Sequence, residues 1–224
     1  MIRAIFLDVD GTLISFSTHE IPASALRALA QAHERGVRLF IATGRAANDL
    51  GPLEGIPYDG VVSLNGARCV ASDGRVVSLH PIPRADFERA LALSEEQGFA
   101  MGLELEEGVF VNRVTPDVER VAHMVAHPVP EQTDLRELFG RVECCQLCFY
   151  FDAETQRRVM AELPTLVASR WCPIFADVNV AGIDKATGME EFMRSYGFSA
   201  AEVAAFGDGG NDLSLIHISE PTRL

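Results

Sequence analysis

Arg3-Ala4-Ile5-Phe6-Leu7-Asp8-Val9-Asp10-Gly11-Thr12 is the stretch on which the reading of this chain turns. Its first half is an apolar run with no helical period, as expected of a buried strand. Its second half is acidic and turn-forming, with two carboxylates one residue apart ahead of a glycine. The same pattern recurs downstream. Val37 to Ala42 run into Thr43-Gly44-Arg45, Gly60 to Leu64 into Asn65-Gly66, and Val203 to Phe206 into Gly207-Asp208-Gly209-Gly210-Asn211-Asp212. Ile21 to Glu34 carry Leu26, Leu29, Ala30 and His33 at helical spacing with Gly36 as a stop, and a short helical stretch is expected from Ala46. Lys185 to Tyr196 read as a further helix, and Ser199 with Glu202 have capping-box spacing. Strands alternating with helices predict βαβ units and a parallel sheet.

The middle of the chain has another texture. Arg68 to Ala71 and Arg75 to His80 flank a turn at Asp73-Gly74, and Pro81 and Pro83 then punctuate a linker. Beyond it, Phe87, Leu91 and Ser94 lie on a helical stretch closed by Gly98. Ala100 to Glu106 and Val109 to Arg113 form a hairpin candidate, and Val118 to Ala126 read as helix. Gln146 to Phe151 read as strand, Glu154 to Leu163 as helix, and Leu166 to Val180 as one or two strands. The expected fold class is α/β, a Rossmann-like parallel-sheet core of residues 1–83 and 179–224 interrupted by an α+β module of residues 84–178.

In an open parallel sheet, ligands sit beyond the carboxyl ends of the strands, so these distant polar termini should converge on one crevice. Asp8, Asp10, Asp208 and Asp212 would then crowd together. Two unit charges ~4 Å apart repel by about 4 kcal/mol at an effective dielectric of 20, so a cation is expected among them. Oxygen ligands without nearby His or Cys favour Mg²⁺, which completes its shell with phosphate oxygens and water. Thr43, the Gly44 amide and Asn65-Gly66 offer donors for such oxygens, and Lys185 adds a point charge. Together these describe a phosphoryl site.

Asp8-Val9-Asp10-Gly11-Thr12, Thr43-Gly44-Arg45, Lys185 and Gly207-Asp208-Gly209-Gly210-Asn211-Asp212 resemble the four ordered motifs of the haloacid dehalogenase-like superfamily. Asn65-Gly66-Ala67 and the long insertion between the second and third motifs resemble its Cof-like, type II-B members. The resemblance covers residues 1 to about 213. It implies that Asp8 attacks phosphorus and that Asp10 protonates the leaving oxygen and later activates water. It implies that Asp8, the Asp10 backbone carbonyl and Asp208 hold Mg²⁺, with Asp212 beside them, and that Asn211 and Asp212 support metal and lysine from behind. Thr43 and Lys185 would bind the transferred phosphoryl, and the inserted module would be a cap closing over substrate. Gly44, Asn65 and Asn211 are the further candidates for binding phosphate, and Arg45 is either a substrate contact or a solvated helix charge. The function implied is a phosphatase acting on a small phosphorylated metabolite such as a sugar phosphate. A phosphomutase shares every residue named, and a non-catalytic phosphate binder is the reading from another class.

Composition narrows the field. Hydrophobic residues make up 48% and charged residues 23%, which is ordinary globular usage. Lys and Arg number 19 against 32 Asp and Glu, a net charge of −13, which disfavours nucleic acid and anionic lipid as partners. No apolar run reaches the ~18 residues of a membrane span, and the early acidic residues do not suit a secretory signal. Five scattered cysteines imply no disulfide framework, so a cytoplasmic protein with reduced thiols is expected. Zinc is not expected at Cys145 and Cys148 beside Cys144, since residues three apart on a strand face opposite sides. Nor is it expected at His123 and His127, which have helical spacing but no third ligand. Trp171 and Phe175 are expected in the core of the inserted module, and Glu104, Glu106 and Arg113 on a solvated strand face. Ser214 to Leu224 do not resemble the family's continuation. The expectation is a native frame ending near Leu213 or Ser214, with an exposed sheet edge that a homodimer would bury.

Overall fold

The computed structural model describes residues 1–15, 17–18, 20–53, 55–209, 212 and 214–215. Asn211, expected near the phosphate, lies outside the described residues. Along the chain run β1 (Ala4–Leu7), α1 (Ala23–Glu34), β2 (Arg38–Ala42), β3 (Gly60–Ser63), β4 (Arg68–Ala71) and β5 (Val76–Leu79). Then come α2 (Arg84–Gln97), β6 (Ala100–Leu105), β7 (Gly108–Val111), α3 (Pro116–Met124), β8 (Glu131–Gln132), α4 (Leu135–Phe139) and β9 (Gln146–Tyr150). The series closes with α5 (Ala153–Met160), β10 (Leu166–Cys172), β11 (Phe175–Val180), α6 (Lys185–Tyr196) and β12 (Val203–Phe206). The chain divides into two compact units, one of Met1–Leu79 with Ile183–Leu224 and one of His80–Gly182.

The first unit is built on a sheet of order β12-β1-β2-β3-β4-β5. β12, β1, β2 and β3 pair in parallel, and β4 and β5 add an antiparallel meander. Apolar side chains cover both faces, which is why the strands read as continuous apolar runs rather than as alternation. One face packs Phe6, Phe40 and Phe192, with Phe40 centred 4.8 Å from Phe6 and 4.6 Å from Phe192. The other packs Leu7, Leu39, Ile41 and Val61 with Leu29 of α1. Leu7 pairs with both Ile41 and Phe206, and Ala42 with Val62. That register brings the residues following β1, β2, β3 and β12 out along one edge of the sheet. Leu215, expected beyond the native frame, is fully buried in the Phe6–Phe40–Phe192 cluster.

The second unit carries a sheet of order β10-β11-β9-β6-β7-β8, antiparallel throughout except for β7 against β8. Its larger core gathers Phe87, Leu91, Leu103, Leu135, Phe149 and Val159, drawn from α2, α4, α5 and the strands they cover. Its edges lie at Leu79/His80 and Gly182/Ile183, outside the expected 84–178 at both ends. The Ile82 amide bonds to the Cys144 carbonyl, and the Ala181 amide to the Thr165 carbonyl, so both flanking segments are stitched into this unit.

Three local expectations are corrected. Residues 47–48 form a turn and Gly51–Leu53 a single 3-10 turn, not a helix, because Gly51, Pro52 and Gly55 interrupt the backbone pattern. α3 ends at Met124, and Ala126 adopts a left-handed φ of 56°, so His127 is not one helical turn from His123. Trp171 is 49% exposed on β10, an edge strand, whereas Phe175 is buried. The short α4 and β8 were not anticipated: α4 has only five residues and is fixed by an Asp134 cap. Among the described residues, no helix is long and apolar enough to cross a membrane.

Candidate active site

Asp8 follows β1 directly, and its amide donates to the Phe206 carbonyl at 3.0 Å, so it sits at the seam of β1 and β12. The chain then folds back at once. The Leu13 and Ile14 amides both donate to the Val9 carbonyl, and Gly11, at φ 94°, donates to the Ile14 carbonyl. Val9, Leu13 and Ile14 are buried in the apolar cluster, while the acidic residues on either side of Val9 stay at the sheet edge. On the neighbouring loop, the Asp208 and Gly209 amides donate to Asp212 Oδ2 at 3.2 and 2.9 Å, so Asp212 ties up its own loop. A Cβ at position 207 would lie 2.4 Å from the Asp212 Cβ, so only glycine allows that close approach. Thr12 Oγ1 donates to Asp208 Oδ1 at 3.2 Å, which links the two loops.

Lys185 is the first residue of α6. Asp184 caps that helix, its Oδ1 accepting from the Thr187 amide at 2.9 Å. Ala186, Gly188, Met189 and Phe192 anchor α6 to the sheet, and Gly188 faces Val62 closely enough that an added Cβ would come within 2.4 Å. The lysine stem therefore enters the protein, and Nζ donates to Asp8 Oδ1 and to Asp212 Oδ1, each at 2.6 Å. Lys185 and Asp212 are each 1% exposed and Asp8 5%.

Asp8, Asp208 and Asp212 each place a carboxylate oxygen within 4.8 Å of the others and together could hold a metal ion. Their formal charge exceeds that of the single lysine among them. Asp8 Oδ2 is buried with no hydrogen-bond partner, a lone pair left for a further ligand. Burial pushes the Asp8 carboxyl above its ordinary value, and Lys185 only partly opposes this. Asp10 stands apart from this group: its carboxylate is taken by Arg45, at 2.7 and 2.8 Å.

Thr43, 1% exposed, follows β2, and its Oγ1 accepts from the Arg45 amide at 3.1 Å. Leu64 and Asn65 both adopt left-handed φ values, 50° and 55°. Their amides are held by the Arg45 and Thr43 carbonyls, both at 3.1 Å. Two successive non-glycine residues in that region are strained, and such strain persists only where surroundings enforce it. Gly44 lies against the Asn65 side chain, 3.1 Å from an added Cβ. Gly66, at φ 99°, packs on the Asp184 carbonyl so tightly that a Cβ would fall 1.9 Å from its oxygen. This contact sets the start of α6, and with it the reach of Lys185. Gly66→Ala is expected to destabilise the protein by about 3 kcal/mol or more, combining backbone strain with a clash against fixed main chain. Denaturant titration checks this, and a loss below about 1 kcal/mol would contradict it.

A second acidic group lies in the second unit. Glu104, Cys148 and Asp177 stand on β6, β9 and β11, with ligand atoms within 4.8 Å of one another. Gln146 Nε2 donates to Glu104 at 2.7 Å and to Asp177 at 3.1 Å, and Asn179 donates to the Gln146 side chain at 3.1 Å. Burial holds the Cys148 thiol well above its ordinary value, and it donates to Glu104 at 3.5 Å. Glu104 was thus expected on a solvated face but belongs to this half-buried network. Sequence reasoning passed over Gln146, Asp177 and Asn179. For Asp177 and Asn179 the signal was a polar residue at every second position of an otherwise apolar strand. None of the five cysteines is in a disulfide, and all are buried.

The chain has counterparts among known proteins. The family of haloacid dehalogenase-like hydrolases matches residues 5–220. BT1666 of Bacteroides thetaiotaomicron, studied among phosphatases of the haloalkanoate enzyme superfamily, is 52% identical. Its superposition has a TM-score of 0.93 and covers 98% of this chain and 82% of that one. The subclass IIB sugar phosphatase BT4131 is 32% identical with a TM-score of 0.86, covering 97% of this chain and 85% of that one. An HMP-PP phosphatase of Yersinia pseudotuberculosis is 26% identical over 225 residues, 96% of this chain and 81% of that protein.

Proposed function

The chain belongs to the haloacid dehalogenase-like hydrolases, and on that premise we propose that it is a Mg²⁺-dependent phosphatase cleaving a small phosphomonoester through an aspartyl phosphate on Asp8. That it is a phosphoric monoester hydrolase follows from its family and from the phosphatases it resembles. A sugar phosphate or a molecule of similar size is the substrate class we favour, since a sugar phosphatase is 32% identical over nearly the whole chain. The single observation that carries the mechanism is Lys185 held between two buried carboxylates, one of which keeps an unpartnered oxygen.

The residues fit a hard divalent cation. The donors are all oxygen, the acidic charge is in excess, and the orphaned Asp8 Oδ2 is buried in place. Asp8, the Asp10 backbone carbonyl, Asp208 and Asp212 would hold it. When bound, Mg²⁺ supplies positive charge that offsets the carboxylates and the phosphoryl oxygens. In this reading an Asp8 oxygen attacks phosphorus as the bond to the leaving oxygen breaks, and Asp10 gives that oxygen its proton. Asp10 then takes a proton from water as the water oxygen attacks phosphorus. The bond to Asp8 breaks and inorganic phosphate leaves. Lys185 keeps Asp8 charged against the desolvation that opposes it, and Lys185, Thr43, Gly44 and Asn65 receive the phosphoryl oxygens. The reading includes a cytoplasmic location, where buried thiols such as these stay reduced.

A panel of phosphomonoesters assayed for released phosphate tests this. Turnover is expected with Mg²⁺, is expected to vanish with EDTA, and should return on adding Mg²⁺ back. Release indifferent to EDTA would remove the metal from the mechanism. Conversion to an isomer without free phosphate would make the protein a mutase, and binding without turnover would make it a receptor.

A further inference from the structure

Arg45 was expected to reach a phosphate, yet its guanidinium is committed within the protein. Nε donates to Asp10 Oδ2 at 2.8 Å and Nη2 to Asp10 Oδ1 at 2.7 Å, so one edge of the fork matches both oxygens of one carboxylate. Nη1 donates to Asp49 Oδ2 at 3.3 Å and to the Asp49 carbonyl at 3.4 Å. The Arg45 backbone is fixed as well, its amide on Thr43 Oγ1 and its carbonyl accepting from Leu64, each at 3.1 Å. One residue thus ties together the loops that follow β1, β2 and β3.

Stability alone is a poor explanation for this arrangement. The three side chains remain 28–43% exposed, and ion pairs in such settings add little to stability. What a two-point guanidinium contact does supply is orientation, since it fixes both the plane and the rotation of a carboxylate. We propose that Arg45 is a positioning residue that sets the Asp10 carboxylate, and that Asp49 in turn sets the guanidinium. The proposal rests on the reading above, in which Asp10 serves the leaving oxygen. Lysine at this position would retain the charge and lose the two-point contact.

The test is the dependence on leaving group. Departure of p-nitrophenolate needs no proton, whereas an alkoxide needs one, and general acid catalysis is worth about 10²–10⁴-fold. The quantity to measure is kcat/KM, which reports the steps through formation of the phospho-enzyme. Arg45→Lys is expected to lower it for an alkyl phosphate at least about tenfold more than for p-nitrophenyl phosphate. Asp49→Asn is expected to act in the same direction with a smaller effect. Adding Arg45→Lys to Asp10→Asn should cost little more on the alkyl substrate, because the two changes remove one function. Equal losses on both substrates, carried by KM, would make Arg45 a phosphate ligand and overturn the proposal. If Arg45→Lys does not fold, Asp49→Asn decides by the same ratio. A wild-type protein that hydrolyses neither compound would instead sink the phosphatase reading, and the clamp with it.

Discussion

Asp8→Asn will lower phosphate release by about four orders of magnitude or more and leave a folded protein, because on the proposed mechanism the substitution removes the nucleophile without removing the shape. Lys185 still finds an amide oxygen in place of Asp8 Oδ1 and keeps its 2.6 Å contact with Asp212. The stability effect has a definite sign in the metal-free protein. Burial raises the Asp8 carboxyl above its reference value of 3.8. A group raised in this way contributes stability that is present below its unfolded pKa and lost as pH rises through its folded value. At neutral pH the wild-type protein therefore bears a desolvation penalty that asparagine avoids. Metal-free Asp8→Asn should melt at or above the wild-type temperature near pH 7, with the difference fading as the medium approaches the unfolded carboxyl value. Mg²⁺ should raise the wild-type melting temperature by mass action and raise that of the variant less. Turnover surviving in the variant would overturn the covalent mechanism, and an equal Mg²⁺ effect on both proteins would take Asp8 out of the metal set.

That experiment concerns residues visible in sequence, and the reason is topological. A parallel sheet brings strand ends to one edge whatever the distance along the chain, so Asp8, Thr43 and Asp208 could be grouped from four apolar runs. What stayed hidden depends on side-chain pairing. Nothing in the spacing of Asp10, Arg45 and Asp49 shows that one guanidinium bridges both carboxylates, because the meeting is made by loops whose path is set by turns at Gly11 and Gly51–Leu53. Trp171 was misplaced for a related reason. Apolar character marks a strand but does not tell an edge strand from a central one, and among the described residues β10 has only β11 beside it. The Glu104–Gln146–Asp177 network escaped because charged strand residues usually face solvent. Here the pairing of β6, β9 and β11 puts them side by side, where they satisfy one another.

Lys185→Met should have the opposite balance of effects to Asp8→Asn, destroying both activity and stability. The ammonium is 1% exposed and lies between two buried carboxylates. Removing one partner from a buried ion pair costs about 3–5 kcal/mol, because the charges left behind are desolvated and unopposed. Asp8 and Asp212 then repel across the space the ammonium held, which drives the Asp8 carboxyl further above its ordinary value. By the same linkage, the deficit of the variant should be greatest at neutral and alkaline pH and shrink on acidification, as protons replace the missing cation. Adding Asp8→Asn to Lys185→Met should recover part of the lost stability, since one of the stranded charges goes with it. Mg²⁺ should recover part as well, but not the turnover, because no metal at the carboxylates replaces the ammonium that, on the proposed mechanism, receives the phosphoryl oxygens. Denaturant titrations of the single and double variants across pH, with and without Mg²⁺, decide the matter. A Lys185→Met protein within about 1 kcal/mol of wild type at every pH would mean that the lysine does not offset these carboxylates, and an electrostatic origin for the site would have to be abandoned.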